Sequence, residues 1–210
     1  MRPVAHSAVT AELVRGGALR RVVRWQPAVA ALVVGCALLL RNAGGVHDQA
    51  GAVALLRGIG AVTVLGAVFV LDDAARRFAE PTQLSARYRL LVRVSIALIG
   101  IGVGFTGASV VLRAHVAAAE LAGVALELLA ATLLGLAVAA VAARRQGVDE
   151  PGVLTAPVVV GGLMAAQFLP QRWALLSPPG AGWAAAHGRW ALLLVVAVVC
   201  LAVASRDLAE

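Results

Sequence analysis

Lysine is absent from this 210-residue chain: all 18 basic residues are arginine. Together with the Ala, Val, Leu and Gly excess, that reflects GC-rich coding and by itself says nothing about function. Cysteine is nearly absent. Cys36 and Cys200 sit in separate apolar runs, in neither a CxxC nor a Cys/His cluster, which argues against a disulfide framework or a zinc site. Only nine aromatics are present (four Trp, four Phe, one Tyr), and none interleaves with a basic stripe. The charge of +7 therefore lacks the footprint of nucleic-acid binding, and no nucleic-acid partner is expected. The GxxxxGK[ST], HExxH and GxSxG motifs are missing as well, so the chain is not expected to bind ATP by a phosphate loop or to be an enzyme by itself. Its four histidines (His6, His47, His115, His187) are scattered through polar segments. No cofactor or metal is expected on this chain.

What is abundant is apolar sequence. Hydrophobic residues make up 61% of the chain and the mean hydropathy is +0.90, well above the roughly half-apolar norm of a soluble domain. A hydrocarbon layer about 30 Å thick needs about 20 helical residues. Six runs qualify or nearly so: 22–40, 52–71, 90–112, 121–143, 153–170 and 190–204. Helices are expected because lipid leaves backbone groups no other partner, and the alternation of a barrel strand is missing. The fold class is thus all-α, a polytopic membrane protein with six transmembrane helices in one transmembrane domain spanning 1–210.

Arginine placement sets the orientation. One side collects Arg2, Arg15, Arg20, Arg21, Arg24, Arg76, Arg77, Arg87, Arg89, Arg144, Arg145 and Arg206; the other has Arg41, Arg113, Arg172 and Arg189. That bias places both termini in the cytoplasm. The leader, 1–21, mixes Leu13 and Leu19 with arginines and suits an interfacial helix, the alternative being a plain positive tail. The outside segment 171–189 carries Trp173 and Trp183 around Pro178-Pro179-Gly180, with Trp190 just beyond. It reads either as two short re-entrant helices or as an aromatic-belted loop.

Three features within this frame carry candidate roles. Arg57 and Glu127 fall at equal depth in the second and fourth runs and are placed to pair, as a polar lining or as a structural tie. Gly100, Gly104 and Gly107 in "IGIGVGFTGAS" permit close helix packing. The charged loop "LDDAARRFAEPTQLSARYR", 71–89, reads as a short helix capped by Asp72-Asp73, stopped by Pro81 and followed by a second segment.

In this layout the chain resembles the six-span permease subunits of actinobacterial ABC-2-type exporters. The likeness lies in the basic leader, the "LDD…PT.L..R.R" loop, the Trp/Pro-rich segment before the last run and the terminal "SRD". The resemblance implies an interfacial elbow helix at 1–21, a cytoplasmic coupling loop at 72–89 and an extracellular re-entrant segment at 171–189. It implies that Asp72, Asp73, Arg76, Arg77, Phe78, Glu80 and Arg87 engage a separate ATP-binding subunit, present in two copies and carrying ATP and Mg. A second permease subunit, identical or similar, would complete the unit in the bacterial cell membrane and export an apolar or amphipathic substrate. Ala74 stands where proline often follows the Asp pair in that family. The competing expectation is a non-transporting membrane scaffold or regulatory membrane partner.

Overall fold

The computed structural model describes residues 25–46, 48–72, 86–146 and 150–206. Among them every regular element is helical. The α-helices are α1 (Trp25–Asn42), α2 (Gln49–Val68), α3 (Ala86–Leu112), α4 (Ala118–Gln146), α5 (Pro151–Gln167) and α6 (Trp183–Arg206). Five are long and apolar enough to cross a bilayer; α5 is apolar but has only 17 residues. At 1.5 Å per residue a helix of that length covers about 25 Å. The architecture is that of a polytopic helical membrane protein.

The centre of the bundle is formed by α2 and α4. Both are buried over more than half of their apolar windows, against 17% or less for α1, α3 and α6. The most extensive interfaces join α4 to α6 and α2 to α1. Val53, Leu56 and Val64 from α2 meet Val124, Leu128 and Leu136 from α4 in one continuous core. The outer faces stay apolar and exposed: Val33 on α1, Ile99 and Val103 on α3, Leu192, Val195 and Val199 on α6. An all-round apolar helix is what a lipid solvent selects.

Local chemistry sets several ends. Asp48 caps α2 by accepting the Gly51 N–H at 2.8 Å, which satisfies one of the orphan donors of a first turn. Pro151 opens α5, where the missing N–H costs nothing.

Three expectations shift. The last helix starts at Trp183, seven residues before the expected 190, because the Pro-Pro-Gly break lies upstream and nothing interrupts the chain after it. The segment before it holds a single 3-10 turn, Gln171–Trp173, followed by non-helical backbone through the positive-φ residues Gly180 and Gly182. The two short helices expected there are thus one turn and the first turns of α6. The GxxxG reading also needs division. An added Cβ at Gly104 would touch Leu32 and Thr63 at 3.2 and 3.4 Å, whereas Gly100 and Gly107 face open space. The closest helix approaches fall instead at Gly60, Gly66 and Gly123, where a Cβ would collide with Leu128, Ala31 and His187.

Gly60→Val should therefore lower the midpoint of thermal unfolding in detergent by an amount corresponding to about 1–3 kcal/mol, the usual cost of overpacking. Gly100→Val and Gly107→Val should leave the midpoint nearly unchanged, as followed by helical circular dichroism.

Candidate functional site

Two polar constellations stand out in this apolar bundle, one near the N-terminal ends of α2, α4 and α6 and one at the opposite end of α2.

The first is built on Arg57 and Glu127. Arg57 Nε donates to Glu127 Oε2 at 2.7 Å and its Nη2 to Oε1 at 2.5 Å. The Glu127 side chain is 4% exposed and that of Arg57 18%. Such fork-to-fork pairing matches the planar guanidinium to both carboxylate oxygens. Burial makes both partners depend on it, since a lone charge left in this medium is far costlier than the pair.

Two residues of α6 complete the cluster. His187 Nε2 lies 3.1 Å from Glu127 Oε1, and its Nδ1 lies 2.7 Å from the Trp183 carbonyl oxygen one turn earlier. The Trp183 and His187 rings stack obliquely, centroids 4.2 Å apart at 43°. The guanidinium carbon of Arg57 sits 5.4 Å from the Trp183 ring centroid, within cation–π range. Gly123 on α4 makes the space: a Cβ there would lie 2.5 Å from His187 Nε2 and 2.7 Å from Trp183 Cζ2. A cavity of about 30 Å³ opens beside the pair, lined by Arg57, Glu127, Leu163, Leu176 and Trp190 among others. That is room for a water or two.

The sequence placed Arg57 and Glu127 together and missed His187, which looks like one of four dispersed histidines. Its signal was the spacing from Trp183, one helical turn, combined with Gly123 lying four residues before Glu127. Among the described residues Arg113 and Glu120 form no ion pair, although their spacing allowed one. No group of three His, Cys, Asp or Glu side chains suited to a metal ion occurs among the described residues.

The strap preceding α6 is fastened by the same helix. Arg189 donates to the carbonyls of Ala174 and Arg172 at 2.6 Å each, and Trp190 Nε1 donates to Leu175 at 2.8 Å. Non-helical backbone at the edge of a bilayer needs such partners. Trp190 is thus 4% exposed and internal, while Trp173, at 60%, keeps the exposed character of an interfacial aromatic.

The second constellation centres on Asp72. It follows a 3-10 turn, Phe69–Leu71, in extended conformation (φ −64°, ψ 125°) and is fully buried. Its Oδ1 accepts the Gly152 N–H at 2.6 Å across 80 residues of sequence. Asp72 caps α5 from across the sequence, while the segment of its own loop lies outside the described residues. An anionic acceptor at a helix N-terminus also complements the macrodipole. Gly152 permits the approach: its Cβ would lie 2.9 Å from Phe69 Cα and 3.0 Å from the Val68 carbonyl. Of the other residues assigned to the coupling loop, Asp73, Arg76, Arg77, Phe78 and Glu80 lie outside the described residues, as does the leader at 1–21; Arg87 enters only as a backbone position in α3.

No protein-family model, no curated protein and no solved structure matches this chain.

Glu127→Ala should destabilise the protein by about 3–5 kcal/mol by stranding Arg57. The double replacement Arg57→Met with Glu127→Leu should cost much less than that single change. Unfolding midpoints in detergent for both singles and the double test this non-additivity. Asp72→Ala should cost about 1 kcal/mol, the usual worth of a cap, while Asp72→Asn, which keeps an acceptor oxygen, should retain most of it.

Proposed function

We propose that this chain is the membrane-spanning permease subunit of an ATP-driven exporter of the ABC-2 type, with six spans and both termini cytoplasmic in the bacterial plasma membrane. The observation that supports this reading most is the Asp72 tether. In the proposed orientation the C-terminal end of α2, the start of α5 and the loop 72–89 lie on the cytoplasmic side. A separate ATP-binding subunit bearing on that loop would then push on α2 through the chain itself. It would push on α5 through the Asp72–Gly152 hydrogen bond.

Asp72 then acts as the fixed root of the loop, and its burial withdraws it from direct contact with a partner. Recognition of the ATPase falls to Asp73, Arg76, Arg77, Phe78, Glu80 and Arg87. Two such ATPase subunits and a second permease, identical or similar, would complete the transporter. ATP binding shifts the population between inward-open and outward-open arrangements only through its differential affinity for the two. The Ala, Val, Leu and Gly composition of the helix faces favours an apolar or amphipathic cargo.

Purification of the full chain in mild detergent from its own cells should bring down an ATP-hydrolysing subunit. Arg76→Glu with Arg77→Glu should cut both its recovery and transport at least several-fold while leaving helical content unchanged. Recovery of the intact chain without any ATPase sinks the export reading and favours a scaffold or regulatory partner.

A further inference from the structure

The hydrogen-bond geometry of His187 specifies more than an ion-pair neighbour. Its Nδ1 faces a carbonyl oxygen, that of Trp183, at 2.7 Å. A carbonyl only accepts, so Nδ1 must carry a proton. In a neutral imidazole that leaves Nε2 with a bare lone pair. Yet Nε2 is buried and stands 3.1 Å from the carboxylate oxygen Oε1 of Glu127, without the alignment of a formed hydrogen bond. A neutral ring would leave this buried nitrogen without a partner, which is costly in a low-dielectric interior. A further proton on Nε2 instead sets an imidazolium 3.1 Å from the carboxylate oxygen.

We propose that His187 and Glu127 form a buried proton-binding site whose proton draws the start of α6 onto the α2–α4 ion pair. Binding gives an imidazolium beside a carboxylate that Arg57 already holds through both oxygens. Release delivers the proton to water and removes the positive charge that draws α6 toward Glu127. A cavity of about 30 Å³, room for a water or two, lies beside the Glu127 carboxylate.

The ligand is a proton rather than a metal ion. One imidazole and one carboxylate already engaged by a guanidinium make a poor cation site. The charged groups facing His187 are Glu127 from α4 and Arg57 from α2. Glu120 lies two turns earlier on α4 with one oxygen buried, and Arg189 lies on α6 itself, committed to the strap. Arg113, His115 and Arg172 are exposed at the ends of α3 and α5, and α5 carries no charged side chain within its span. The site does not depend on the export reading.

The test is ¹H–¹⁵N spectroscopy of the histidine rings in the full chain, ¹⁵N-His-labelled in lipid nanodiscs, titrated over roughly pH 5–8, where imidazole ordinarily titrates. His187→Asn, which keeps a donor for the Trp183 carbonyl, assigns the signal. The expected result is an Nδ1–H ring that gains a second proton at Nε2 as the pH falls. Stacked Trp183 should report the same event as a reversible change in fluorescence that His187→Asn and Trp183→Phe each abolish. An Arg57→Gln, Glu127→Gln double variant, which strands no charge, should weaken the coupling at least several-fold. A His187 ring that stays neutral throughout, or a fluorescence change that survives His187→Asn, overturns the proposal.

Discussion

A guanidinium and a carboxylate, held fork to fork between the two most buried helices, fix how this bundle is assembled. Ala, Val and Leu faces slide past one another with little preference in lipid, because the medium is as apolar as they are. A single buried pair supplies the missing register: α2 and α4 can exchange two hydrogen bonds at one relative height only. The apolar contacts of Leu56, Val64, Val124 and Leu128 then fill in around a geometry already chosen.

The pair also recruits α6. Its carboxylate faces His187, its guanidinium faces Trp183, and Gly123 removes the side chain that would stand between. Further along α6, Arg189 and Trp190 gather the carbonyls of the preceding strap. One helix end therefore closes both the polar cluster and the irregular backbone above it. At the far end of α2 the same economy recurs, with Asp72 serving as the cap of α5 and as the root of the loop that follows. Both constellations join elements far apart in sequence, so a displacement at either is shared among several helices. That property suits a transport subunit, and it suits a proton-responsive joint equally well.

Much of this was legible in the residues. Hydropathy gives the helices because a hydrocarbon solvent leaves the backbone no alternative to internal pairing. Matched depth made Arg57 and Glu127 candidates to pair, and the structure joins them. The capping role of Asp72 was visible as chemistry, but nothing local reveals that a helix 80 residues onward needs the same acceptor. Gly100 and Gly104 matched a packing motif, yet the tightest approaches fall at Gly60, Gly66 and Gly123, because which face of a helix meets a neighbour depends on where the neighbour stands.

The sequence by itself determined that the chain is helical and membrane-embedded, because lipid excludes the alternatives, and it set Arg57 and Glu127 at matched depths as candidates to pair. Tertiary structure alone decided that His187 joins that pair, that Trp190 is internal and that Asp72 caps α5. Those are contacts between side chains distant along the chain, set by helix rotation and approach, and neither quantity is encoded in a run of apolar residues.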